Sequence, residues 1–180
     1  VMTLPAPFGL SLGMKLEDFS EFMPVEVAPF KYRLDKPPKP HPAFEFYILQ
    51  IAPESGLSWI KAIGNDIPTN GFGNSINSAF LEMEGKLKNT YGKCERTDLL
   101  LQGSIWNEPQ DWMMALVKGE RLLASHWEEK TGAKLTEAIE SVFLVANGRD
   151  TDSGFIAIEY TLKNNSAAAQ EIASSQDDAL

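Results

Sequence analysis

Residues 73–92 read GNSINSAFLEMEGKLKNTYG, and the fold class turns on this stretch. Ile76, Phe80, Met83, Leu87 and Tyr91 recur at steps of four, three, four and four. That spacing is the apolar stripe of a helix lying on a core. Asn74 or Ser75 is placed to cap the first amides, and Gly92 to end the helix with a positive φ. The opposite face carries Glu82, Glu84, Lys86, Lys88 and Asn89 and is expected in solvent, its two i,i+4 Glu–Lys pairs adding about 0.2–0.5 kcal/mol each. Gly85 costs about 1 kcal/mol inside a helix, which suggests close approach of a neighbouring backbone. A helix over about 74–91 is therefore predicted, packed on one face of a sheet.

Outward from this helix the chain reads mostly as strand. FEFYILQI, within 43–52, alternates Phe44, Phe46, Ile48 and Gln50 against Tyr47, Leu49 and Ile51, and LSWIKAIG returns as its hairpin partner after Pro53–Gly56. On the carboxyl side, DLLLQGSIW and DWMMALVKGERLLASHWEE predict three strands, the last two joined by a turn at Gly119. Leu135–Ile139 is expected as a short helix. ESVFLVAN and FIAIEYTLKN then form a hairpin around NGRDTDSG.

Towards the amino terminus, Leu16, Phe19, Phe22 and Met23 mark a short helix over about 14–23, stopped by Pro24. Val25–Leu34 suggests a strand broken at Pro29, and KPPKPHP a stiff extended loop. Residues 164–180 lack large side chains save Ile172 and Leu180, and are expected as a disordered acidic tail. The class is thus α+β: an antiparallel sheet of at least six strands in a single domain over 1–163. Phe8-Gly9 and Phe72-Gly73 each lead a helix followed by strands, a faint internal echo that suggests a duplication.

Composition narrows the partners. Twenty-five acidic against 16 basic side chains leave a net charge of −9, which argues against nucleic acid or an anionic membrane and favours a basic protein, with ordinary acidic solubility as the plain alternative. No run approaches a membrane span, so a soluble protein is expected. The chain opens at Val1, ahead of Met2, which suits a trimmed precursor or an added residue. Cys94 is the single cysteine, so neither an intramolecular disulfide nor a thiolate metal cluster is expected, and no cofactor motif is found.

His41 and His126 are the two histidines. A serine–histidine–acid arrangement of Ser104, His126 and Asp98 on neighbouring strands would make a hydrolase, against the plain reading of a strand histidine. His126, Glu128 and Glu129 match no known metal-ligand set. Trp59, Trp106, Trp112 and Trp127 fall on predicted strands or strand ends, as core or as a binding surface. Trp106, Glu108, Asp111, Trp112 and Trp127 are the candidate binding residues, the first four framing an expected exposed loop.

Phe8–Phe19, FGLSLGMKLEDF, resembles the leader of small bacterial envelope proteins in which F-G-x-x-x-G-M-x-x-E-(D/E)-(hydrophobic) begins a helix ahead of antiparallel strands. These are the helix-plus-sheet modules of the beta-lactamase-inhibitor type and of small outer-membrane assembly lipoproteins. The chain differs in lacking a lipidated amino-terminal cysteine and the paired cysteines of the secreted inhibitors. The resemblance implies protein binding rather than catalysis, with the periplasm favoured over the cytoplasm. The expected function is a non-enzymatic inhibitor or immunity-type module that docks a basic partner through an acidic surface. A structural envelope protein is the second reading, and a hydrolase using His126 the third.

Overall fold

The computed structural model describes residues 3–180; Val1 and Met2, on which the reading of the chain's start rests, lie outside them. The described residues form two compact units. The first takes the chain up to Ile63 with Leu135–Ser141 and Glu159–Leu180, and the second takes Gly64–Lys134 and Val142–Ile158. The strands are β1 (Val25–Ala28), β2 (Lys31–Leu34), β3 (Phe44–Ala52), β4 (Gly56–Gly64), β5 (Ile67–Pro68), β6 (Glu95–Leu100), β7 (Arg121–Trp127), β8 (Ile139–Asp150) and β9 (Ser153–Leu162). They join in one nine-stranded antiparallel sheet in the order β1-β2-β3-β4-β9-β8-β7-β6, with β5 on β9. The helices are α1 (Asn74–Tyr91), α2 (Trp112–Val117) and α3 (Asn165–Asp177), with 3₁₀ turns between. This is the predicted α+β architecture with one long helix. Phe8-Gly9 lie within a 3₁₀ turn, Pro7–Gly9, whereas Phe72-Gly73 stand directly before α1.

In the first unit the predicted helix over 14–23 is a 3₁₀ segment, Leu16–Phe22, because only Phe19 of its apolar residues is buried. Leu16 and Met23 remain exposed, so there is no continuous stripe to hold an α-helix down. Val25–Leu34 is a hairpin rather than one broken strand. Phe30, beside Pro29, takes φ +64°, and Val25 returns opposite Arg33. Tyr47, Leu49 and Ile51 of β3 are buried, as alternation predicts, and Phe8 packs its ring on Tyr47 at a centroid distance of 4.6 Å.

The largest departure in this unit is at the carboxyl end. Residues 165–177 form α3 where a disordered tail is expected. Alanine-rich sequence favours a helix, and the docking comes from small and polar groups instead of large apolar ones. Ala168 is fully buried, and Glu171 accepts from the backbone N–H of Glu54 and Ser55 at 2.8 Å each. Asn164 donates from Nδ2 to the carbonyls of Ser55 and Leu57 at 2.9 and 3.0 Å.

In the second unit α1 buries Ile76, Phe80, Met83, Leu87 and Tyr91, the predicted stripe. Its ends are made differently. Gly73 takes φ +69° and turns the chain so that the preceding loop supplies the caps. Asn70 Oδ1 accepts from the Asn74 N–H at 3.3 Å, and Thr69 Oγ1 accepts from the Ser75 N–H at 3.2 Å. Neither Asn74 nor Ser75 caps the helix with its own side chain. Gly92 has φ +84°, and its N–H donates to Lys88 O at 2.8 Å. Gly85 is exposed, with nothing within 4 Å of where a Cβ would stand, so no backbone approaches it closely.

DWMMALV, predicted as a strand, forms a 3₁₀ turn running into α2. Pro109 occupies a first-turn position where its missing N–H costs nothing, and Met, Ala and Leu favour helix. Gly119 ends α2 with φ +73°. Its N–H donates to Leu116 O and that of Glu120 to Ala115 O, the paired bonds of a Schellman motif. Leu135–Ile139 is not helical. The adjoining Lys134 N–H is taken by Tyr91 O at 2.7 Å and Ala133 bridges to Gly92, so the chain enters this stretch extended.

Candidate functional site

The strand pair β6–β7 positions the groups of interest in the second unit. Its register sets Glu95 opposite His126, Arg96 opposite Ser125, Thr97 opposite Ala124, Asp98 opposite Leu123 and Leu99 opposite Leu122. Because side chains alternate, Arg96, Asp98, Ser125 and Trp127 share the face that carries α1, whereas Leu99, Leu122 and His126 point to the other.

The five predicted binding residues separate accordingly. Trp127 is fully buried and donates from Nε1 to Gly92 O at 3.0 Å, so it anchors the end of α1 and offers no binding surface. Trp112 packs where Gly73 leaves room: a Cβ on Gly73 would stand 2.2 Å from Trp112 Cε3. Its ring also faces the Arg121 guanidinium at 5.6 Å. Asp111 accepts from the Glu108 N–H at 3.3 Å and closes the turn that starts α2. Of the five, Glu108 is exposed, and Trp106, expected at a strand end, lies instead in the loop after β6, half-buried like Asp111 and Trp112, its backbone N–H donating to Ser104 Oγ.

No serine–histidine–acid arrangement is assembled from Ser104, His126 and Asp98. His126 projects from the face opposite Asp98, with Glu128 Oε1 at 3.4 Å from its Nε2, and Ser104 is engaged with Trp106. His41 closes a turn, its Nδ1 accepting from the Ala43 N–H at 3.1 Å. No group of three His, Cys, Asp or Glu side chains able to hold a metal ion occurs among the described residues. No helix among them is long and apolar enough to cross a membrane.

The strongest electrostatic feature is one that helical spacing assigns to the solvated face. Glu84 is 2 % exposed. Arg96 donates to it from both Nε, at 2.8 Å, and Nη2, Ser125 Oγ donates to Oε2, and Lys88 Nζ stands 3.4 Å away. The Arg96 hydrogen bonds, reinforced by Ser125, outweigh burial and hold the carboxyl at a pKa of about 2. Beside this cluster a cavity of about 440 Å³ is lined by Lys88, Gly92, Lys93, Cys94 and Thr131. Burial, with the Glu84 carboxylate, pushes the Cys94 thiol up, so it stays protonated and is a poor nucleophile at neutral pH.

Apolar side chains also lie open on this strand pair and the loop after it. Leu99 and Leu122, direct cross-strand partners, are 49 and 38 % exposed. Leu101, two residues along the same face, is 57 % exposed, and Ile105 in the following loop 75 %. Read as core strand, the run DLLLQGSI hides this cluster. The available signal is three consecutive leucines, which set apolar side chains on both faces where only one face is covered.

Comparison with protein-family models, with curated proteins and with solved structures finds no match to this chain.

Proposed function

We propose that this chain is a non-enzymatic protein-binding module, of inhibitor or immunity type, that takes a basic partner on the second unit around Leu99, Leu101, Ile105 and Leu122. The observation that carries this reading is the exposed apolar cluster itself. Leucines held in solvent on a rigid strand pair forgo about 25 cal/mol for every Å² left unburied, and clusters of this kind mark interaction sites. The net charge of −9 favours a basic partner, and Glu95, Asp98 and Glu108 supply carboxylates on β6 and the adjoining loop. Trp106, half-buried in that loop, adds an aromatic group of the kind that anchors interfaces.

The test is a pull-down with the purified chain and with a Leu99→Ser, Leu122→Ser double variant, at low and at roughly physiological salt, where charge attraction is screened over about 8–10 Å. A basic protein captured by the parent chain, lost from the double variant and weakened by salt supports the reading. Equal capture by both chains removes the surface from consideration.

A further inference from the structure

The β6 edge has a backbone pattern suited to one mode of binding. Leu101 N–H donates to Glu120 O, which continues the β6–β7 register by one step beyond Leu100. Bonded and non-bonded pairs alternate along an antiparallel ladder. Leu99, Thr97 and Glu95 therefore exchange bonds with β7, and Leu100, Asp98 and Arg96 turn their N–H and C=O groups outward. β6 ends the strand order, so among the described residues no strand meets those groups. The register runs unbroken from Glu95 to Leu100, without bulge or proline. β1, the other terminal strand, is four residues long with a register shift between Glu26 and Ala28, which blunts it.

We propose that β6 accepts, by strand addition, an extended segment of a partner protein that alternates apolar and basic residues. The inference rests on the protein-binding reading above and states how the partner is held. Main-chain bonds to Arg96, Asp98 and Leu100 supply affinity, and side chains supply selection. On one face the added strand sets apolar residues beside Leu99 and Leu101. On the other it sets a basic residue beside Asp98, whose side chain is 53 % exposed and accepts one long hydrogen bond, from Arg121 Nη1 at 3.5 Å, so that carboxylate lone pairs are left for a second cation. Arg96, already held by Glu84, does not repel that residue as an unpaired cation would. In a self-pairing of two copies centred on Thr97, Arg96 matches Asp98 but Leu99 lies against Glu95.

The probe is an acetylated, amidated (Val-Lys)4 peptide added to the full chain, followed by amide hydrogen exchange. Exchange of the Arg96, Asp98 and Leu100 amides slows at least tenfold, while Thr97 and Leu99, already bonded to β7, change little. Asp98→Pro removes an outward N–H without touching the ladder and weakens peptide binding at least tenfold. Asp98→Lys keeps the N–H and weakens it several-fold at low salt, which serves if the proline variant does not fold. Peptide binding that leaves the three amides unslowed, or that is equal in both variants, overturns the proposal. If the Leu99→Ser, Leu122→Ser chain loses its captured protein while Asp98→Pro retains it, strand addition falls and the docking surface stands. If both retain it, both fall. Sedimentation showing a dimer that Asp98→Pro dissociates assigns the edge to a second copy and also overturns the proposal.

Discussion

Arg96 of β6 grips the carboxylate of Glu84 on α1 through both Nε and Nη2, and Ser125 of β7 donates to the same group, so one buried acid ties the long helix to two strands. The folded pKa lies near 2 against an ordinary 4.5. A depressed carboxylate contributes stability that is complete above its unfolded pKa and is lost as pH falls through the folded one. Urea unfolding of the parent chain is expected to lose about 3 kcal/mol from this site between about pH 4.5 and pH 2. Glu84→Gln flattens that part of the profile, and an unchanged slope in the variant counts against the assignment.

Gly85 offers the opposite result. It is exposed in the middle of α1 with open space around the missing Cβ. Gly85→Ala should raise stability by about 1 kcal/mol, read as a higher urea midpoint at unchanged m-value. A loss of stability would show that something touches this position.

Gly73 and Trp112 make a pair that tolerates no side chain. The left-handed backbone alone costs a non-glycine residue about 1–2 kcal/mol, and the Trp112 ring occupies the Cβ position. Gly73→Ala is therefore expected to destabilise by at least about 2 kcal/mol and to change Trp112 fluorescence. A variant as stable as the parent would mean that Trp112 can swing away.

Trp127 and Trp106 should behave differently on truncation. Trp127→Ala removes a fully buried indole and its bond to Gly92 O, a change that costs about 3–5 kcal/mol. Trp106→Ala, at a half-buried loop position, should leave the unfolding free energy within about 1 kcal/mol of the parent's and lower partner capture instead.

The α3 contact is acid-sensitive. The backbone N–H groups of Glu54 and Ser55 hold the Glu171 carboxyl below its ordinary range, so docking is complete above that range and weakens as pH falls below it. Limited proteolysis at falling pH should cut within 165–177 earlier than elsewhere. Glu171→Gln should show the same susceptibility already at pH 7, and equal resistance in the variant would count against the contact.

By itself the sequence determined the α+β class, the extent of α1 and the two long hairpins. In each case the signal is local: a 3.6-residue stripe in 74–91, and alternation bounded by turn formers in 44–64 and 139–162. Tertiary structure decided what periodicity treats as equivalent. Glu84 lies one step from Met83 on the helix surface, and only Arg96 and Ser125, brought alongside by strand pairing, make its burial affordable. DWMMALV carries apolar residues without a clean period, and the Gly119 cap and Pro109 start selected helix over strand. Alanine-rich 165–177 has too little apolar surface to signal a packed element, yet Ala168 and the Glu171 bonds dock it. The candidate surface was least legible of all. Leu99 and Leu123 are the same residue type on paired strands, and only the fold shows that one is covered by α1's side of the sheet while the other is left in water.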